Sequence, residues 1–314
     1  MTLRHLEIFL ALAATPHMRD VAARLFVSQA AVSSALRDFE AELGVTLFDR
    51  IGRGIRLNEK GRLLESRLAP LFSQLTDIFG YVARDSMAGH VRVGASTTLA
   101  DYVLPQILYD FQTRYEHVAI TCESGNTADI VQHIEAGSLD IGFVEGDVRS
   151  LLVRAAPLLR ERLVVVTSDR HLAAAGPQPM ARLMGRRWLM REQGSGTRET
   201  FLSRLFPLDL RPELFLEFDN NDSIKAVLEN PDTLACLSPL VVARELASGE
   251  LFAVPIADVA FERVFSRVMH RDRIASPLLD AVSTAVNNRL QAHQSEAGGE
   301  KEEDGKRVRE GDPF

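Results

Sequence analysis

Residues 27–64 read VSQAAVSSALRDFEAELGVTLFDRIGRGIRLNEKGRLL, and their periodicity changes twice. Val32, Leu36, Phe39 and Leu43 recur at helical spacing, so a helix covers Ser28 to Leu43 with one apolar face. Ser28 is placed to cap its N-terminus, and Gly44 is the expected stop. Residues 45–57 then alternate as two short strands around Gly52-Arg53-Gly54, a small hairpin. From Glu59 the helical period returns. Leu64, Leu68, Leu71, Leu75, Ile78 and Val82 form a heptad seam on a helix over about 59–88. Pro70 predicts a kink, or a break after Ala69.

Upstream, Leu3, Leu6, Phe9, Leu10 and Ala13 predict a helix over 3–14, ended by Pro16. A second runs from Met18 to Leu25. Glu7 inside the first apolar stretch makes it an amphipathic helix rather than a signal peptide. Three short helices and a hairpin make a winged helix-turn-helix over residues 1–58. The linker helix, 59–89, wants a partner for its seam. Arg50, Arg53, Arg56, Lys60 and Arg62 stand against Glu59 alone, so the wing region is basic although the net charge is −7.

Beyond Val91 strands alternate with helices: VRVGAS, VAITCESG, LDIGFVEG, LVVVTS, RWLMREQ, LFLEFDN and LACLS. This is an α/β pattern with a mainly parallel sheet. About ten strands in some 200 residues fit two Rossmann-like α/β subdomains around a cleft. We assign 90–162 with 266–294 to the first and 163–265 to the second, with a last helix from Ser276-Pro277 to about Gln291. Residues 295–314, SEAGGEKEEDGKRVREGDPF, have too few large hydrophobics to fold alone and are expected to be disordered.

Three strand ends converge on such a cleft. Ser96, Thr97 and Thr98 follow one. Gly194, Ser195 and Thr197, in QGSGTR, follow another. Asn220-Asn221-Asp222 opens a third helix. Backbone N–H groups, hydroxyls and helix N-termini there suit an anion. Glu145, after IGFV, points the same way and opposes a highly charged anion unless it binds a protonated or cationic part of the ligand; pairing with Arg198 or Arg191 is the alternative.

Several classes are excluded. No apolar run spans a membrane, which leaves a cytoplasmic chain as the expectation. Cys122 and Cys236 lie in apolar runs and read as packing residues. Ser195 is in Gly-Ser-Gly, not a Gly-x-Ser-x-Gly elbow. The eight histidines show no metal-ligand spacing, so neither an enzyme nor a metal or other cofactor is expected. A solute-binding protein would not carry the N-terminal module.

The segments LRHLEIFLALA, residues 27–64, SLDIGFVEG, REQGSGTRETF, NNDSIKAV and LSPLVVARELASGEL together resemble the LysR-type transcriptional regulators over about residues 2–292. Within that family the resemblance leans to the branch of CysL-type, YeiE-type and CbbR regulators, YeiE-like nearest. It implies a periplasmic-binding-protein-like (type 2) effector domain and a cytoplasmic bacterial regulator, activator or repressor. Its partners would be double-stranded DNA with a pseudopalindromic operator, itself as homodimer and homotetramer through the long helix, and RNA polymerase if an activator. A helix of this kind enters the major groove N-terminus first. Ser28, Gln29, Ser33, Ser34, Arg37 and the wing's Arg53 are the candidate DNA contacts. Gln29 can pair with adenine, and Ser33 lies one turn on. Position 34 is commonly basic in the family but is Ser34 here, which shifts weight to Arg37 and Arg53. A Gly-x-Gly turn usual before one strand is replaced by Asn230-Pro231-Asp232-Thr233. The resemblance further implies a small anionic effector of sulfur metabolism, such as sulfite or sulfate, with an organic acid or phosphorylated metabolite as the alternative.

Overall fold

The computed structural model describes residues 1–51, 54–82, 87–274 and 276–307, which fall into two compact units. The first holds helices α1 (Leu3–Ala14), α2 (Met18–Arg24) and α3 (Gln29–Leu43). A hairpin of β1 (Phe48–Ile51) and β2 (Gly54–Leu57) follows, and then α4 (Glu59–Val82). Ile8, Phe9, Leu12, Val21, Val32, Leu36, Phe39, Leu47 and Ile55 make its core. Phe9 packs at 5.8 Å centroid distance on both Phe39 and Phe48. Ser28 Oγ accepts from Ala31 N at 3.1 Å, and Gly44 ends α3 with φ +67°, as the sequence predicts. Glu40 ties α3 to the hairpin by accepting from Leu47 N at 2.6 Å. Asn58 caps α4 through Gly61 N at 2.9 Å. Gly61 is required there, since a Cβ would lie 2.1 Å from the Leu47 carbonyl oxygen.

Helix α4 passes through Pro70 without the expected break. It is described as far as Val82; residues 83–86 lie outside the described residues, and Met87 and Ala88 are not helical. Leu64 and Leu68 are partly buried against the core of this unit. The remaining seam is open, with Leu71 56% and Ile78 51% exposed and Leu75 half-buried. The Val82 side chain lies outside the described residues. Glu135–Ser138 and Asp272–Ile274 belong to this unit too, and Arg273 donates to Ser73 and Asp77, each at 3.0 Å.

The second unit contains two five-stranded sheets. Its first half runs β3 (Gly89–Ser96), α5 (Thr97–Tyr102), α6 (Leu104–Arg114), β4 (Val118–Gly125), α7 (Thr127–Glu135), β5 (Ile141–Glu145) and β6 (Val153–Arg162). Then come β7 (Val164–Thr167), α8 (Arg170–Ala174), β8 (Arg187–Arg191), α9 (Gly196–Leu205), β9 (Glu213–Phe218) and α10 (Asn221–Leu228). The chain closes with β10 (Thr233–Leu237), α11 (Pro239–Ser248), β11 (Phe252–Val254), β12 (Glu262–His270) and α12 (Pro277–Arg307). The sheet orders are β4-β3-β5-β12-β6 and β11-β7-β10-β8-β9. In each sheet four strands run one way and one runs against them, β12 in the first and β7 in the second, so the sheets are mixed but mainly parallel in direction.

The chain crosses between subdomains out along β6 and back along β12, which pair with each other antiparallel. Strand β12 begins at Glu262, so the return lies four residues ahead of the expected boundary at 266. Strand β6 eluded the sequence reading because it contains Pro157 and no alternation. It is an edge strand, and the register slips beside Pro157, where a missing N–H costs nothing. The stretch over 97–115 forms two helices, α5 and α6, divided at Val103 just before Pro105. Helix α12 runs to Arg307, well past Gln291 and into the expected disordered tail. Residues 292–307 include four Glu, two Ala and two Lys, which favour a helix without an apolar stripe, against three Gly, which do not.

Candidate functional site

The first candidate surface is the N-terminal half of α3. Gln29, Ala30, Ala31 and Arg37 are exposed, and Ser33 and Ser34 are half-buried. Gln29, Ser33 and Arg37 stand at i, i+4 and i+8, so they form one stripe. The Ser28 hydroxyl is engaged as the cap. Ser34 Oγ donates to Asp38 Oδ2 at 3.5 Å, inside its own helix. Arg53 lies outside the described residues.

The second candidate site lies between the two sheets. Arg191, at the end of β8, is buried and crosses from one subdomain to the other. It donates to Thr97 Oγ1 at 3.0 Å, to Asn221 Oδ1 at 3.2 Å and to the Asp219 carbonyl at 3.1 Å, and it pairs with Glu192 at 2.8 Å. Thr98 Oγ1 donates to Glu145 Oε1 at 3.1 Å, and Thr197 Oγ1, from the other subdomain, to the same oxygen at 3.5 Å. The tight contact rests on Gly196, where a Cβ would lie 1.9 Å from the Glu145 carbonyl oxygen. Gly194, at φ +91°, packs against Asn126 and Ala128.

The sequence reading brought Ser96, Thr97, Thr98, Glu145, Gly194, Ser195, Thr197 and Asn221 to one cleft, and the structure gathers them around these bonds. Glu145 departs from expectation. Its partner is neither Arg191 nor Arg198 but Arg263, whose Nη2 lies 2.9 Å from Glu145 Oε2 and 2.6 Å from Glu161 Oε2. Arg198 pairs with Glu217 and donates to the Arg191 carbonyl at 2.9 Å. Arg263 also donates to Thr197 Oγ1 at 2.8 Å, and Ser238 Oγ donates to Glu161 Oε1 at 2.6 Å. Arg263 and Glu161 face each other on the crossing strands β12 and β6. Burial pushes the Glu145 carboxyl above its usual range, against the pull of Arg263. Burial works against the Arg263 charge, but Glu145 and Glu161 beside it outweigh that and hold its pKa above the usual value.

Apart from Glu145 Oε2 and Arg263 Nη2, which are ion-paired, three buried polar groups at this site have no hydrogen-bond partner: Ser96 Oγ, Ser195 Oγ and Asn221 Nδ2. Their residues are only 1%, 1% and 2% exposed. Ser96 and Ser195 sit at helix N-cap positions, yet neither hydroxyl makes the cap bond. Buried donors left unbonded are costly, and native proteins keep few of them. Arg263, Glu161 and Ser238 were missed by sequence reading, since nothing local marks residues that meet only across the strand register.

Residues 3–62 match the bacterial regulatory helix-turn-helix family of LysR type, and residues 84–291 match the LysR substrate binding domain. The chain belongs to the LysR family of transcriptional regulators. It is therefore a regulator and not an enzyme. It is 34% identical over 279 residues to the uncharacterized HTH-type transcriptional regulator YeiE of Escherichia coli K12, covering 89% of this chain and 94% of that one. A full-length OxyR variant from Pseudomonas aeruginosa shares the fold with a TM-score of 0.76 at 20% identity, over 93% of this chain and 95% of that one. The regulatory domain of Synechocystis PCC6803 CcmR in complex with 2-PG aligns with a TM-score of 0.59 at 22% identity, over 64% of this chain and 96% of that one. No helix among the described residues is long and apolar enough to cross a membrane, and no cluster there could hold a metal ion.

Proposed function

We propose that this LysR-type regulator responds to a small oxyanion, with a sulfur oxyanion such as sulfite as the leading candidate, bound between Ser96, Ser195 and Asn221. The observation that carries this reading is the set of three unpartnered buried donors. Thr97 and Thr197 flank them but already have partners. Helices α9 and α10 add N-terminal dipoles, which favour negative charge. Arg191 and Arg263 are both already paired with carboxylates. The free donors are thus neutral, which suits a small ion better than a polyanion. Their burial favours few heavy atoms over an extended metabolite. A second reading, an organic acid or phosphorylated metabolite, draws on the fold likeness to the 2-PG-bound CcmR domain.

On the DNA side, Gln29, Ser33 and Arg37 read or clamp the major groove, with Ser28 holding the helix start. Leu71, Leu75 and Ile78 supply the contact with a second copy, which makes the operator two-fold. Isothermal calorimetry of the full chain tests the effector. Heat with millimolar sulfite, sulfate or thiosulfate supports the oxyanion reading, and heat with 2-PG alone supports the second. No heat with any of them overturns both.

A further inference from the structure

Phe26 lies in the turn between α2 and α3. Its side chain is 96% exposed and its φ is +54°. Phe26 N donates to Ala23 O at 3.3 Å and Val27 N to Ala22 O at 3.0 Å. These paired return bonds end α2 and put Phe26 at the left-handed position that Gly or Asn usually fills. Arg4 fixes the turn further by donating to the Leu25 carbonyl at 3.0 Å. Among the described residues only Asp209 shares a positive φ without being glycine. A phenylalanine here strains the backbone, and its ring packs against no part of the core. Folding gains nothing from the ring, so its use lies outside the fold.

The surroundings identify that use. Ser28, Gln29, Ala30 and Ala31 follow as an unbroken exposed run at the start of α3. With the Ser28 hydroxyl engaged as the helix cap, the rim presents one amide among the apolar groups of Phe26, Ala30 and Ala31. In the major groove the apolar feature is the C5 methyl of thymine, and Phe and Ala side chains are suited to contact it. We propose that Phe26, with Ala30, reads the methyl of a thymine bordering the base pair that Gln29 engages. This rests on the reading of α3 as the helix that enters the groove.

The test uses the full chain and an operator selected by it from random DNA duplexes. Each thymine is replaced in turn by deoxyuridine, which removes only the methyl, and affinity is read by fluorescence anisotropy. Wild type should lose about four-fold per half-site at one position, the effect of about one buried methyl group. Phe26→Asn and Phe26→Gly both relieve the backbone. They should bind the thymine operator about four-fold more weakly per half-site and be indifferent to deoxyuridine at that position. Their thermal midpoints should not fall. Gln29→Ala should weaken binding yet keep the deoxyuridine penalty. The proposal is overturned if no single replacement affects wild type, or if the penalty persists in both Phe26 variants. It is overturned too if those variants alter sedimentation but not the thymine preference. If Gln29→Ala also binds like wild type, the reading of α3 fails; if only the Phe26 variants do, the failure is confined to Phe26.

Discussion

Replacing Arg263 by methionine tests what joins the two halves of the effector domain. The guanidinium is 0% exposed and lies between Glu145 at 2.9 Å and Glu161 at 2.6 Å, with Thr197 at 2.8 Å. Methionine fills similar volume but leaves two buried carboxylates facing each other. Breaking a buried ion pair from one side costs about 3–5 kcal/mol, because the remaining charge is uncompensated. For a unit of this size the midpoint should fall by roughly 10 °C. The loss should depend on pH. Burial already raises the Glu145 carboxyl above its usual range, and Arg263 opposes that rise. Without Arg263 it rises further, so the folded variant holds a proton that the unfolded chain releases. Stability then falls as pH climbs from the ordinary carboxylate value through the raised one. The deficit should therefore be greater at about pH 8 than at about pH 5. Urea unfolding of the full chain, followed by circular dichroism at both pH values, measures this. The triple variant Glu145→Gln, Glu161→Gln, Arg263→Met should recover most of the loss, since removing every charge leaves none unpaired. An Arg263→Met protein within about 1 kcal/mol of wild type at both pH values would refute the reasoning.

Ser195→Ala should weaken oxyanion binding roughly ten-fold in calorimetry, the worth of one hydrogen bond to a charged group, and leave unfolding unchanged because that hydroxyl bonds nothing in the protein. Equal affinity in mutant and wild type would remove Ser195 from the site. Gln29→Ala should lower operator affinity about ten-fold or more without changing effector affinity, measured by anisotropy and calorimetry on one preparation. Leu71→Glu with Ile78→Glu should yield monomers in sedimentation velocity while the winged helix stays folded, since both side chains are largely exposed. Unaltered dimers would point away from α4.

What sequence reading reached, and what it did not, follows from the range of the interactions. Ser28 and Gly44 bound α3 through contacts three or four residues away, so they are visible in a short window. Ser96, Ser195 and Asn221 follow strands and open helices, which is also a local signature. Arg263 and Glu161 are 102 residues apart and meet only because β6 and β12 pair in one register. No local pattern encodes that register. Leu64 and Leu68 show the converse. Their heptad spacing is real, but a leucine stripe does not say which surface will cover it, and the core of this unit covers part of these two.

Two segments at the cleft share a plan that links these ranges. Ser96-Thr97-Thr98 and Ser195-Gly196-Thr197 each offer a serine hydroxyl without a partner and, two residues on, a threonine hydroxyl directed at Glu145 Oε1. The subdomains therefore meet on one carboxylate oxygen. Arg263, on the strand by which the chain returns, fixes that carboxylate. An anion that draws on Ser96 and Ser195 adds its bonds two residues from each threonine. It thus acts beside a contact that joins the two subdomains. On the proposed reading, strain introduced by the anion reaches the crossing strands through Glu145 and Arg263 without passing through either hydrophobic core. Arg263→Met should for that reason uncouple effector binding from any change in operator affinity, even at a pH where the variant is fully folded.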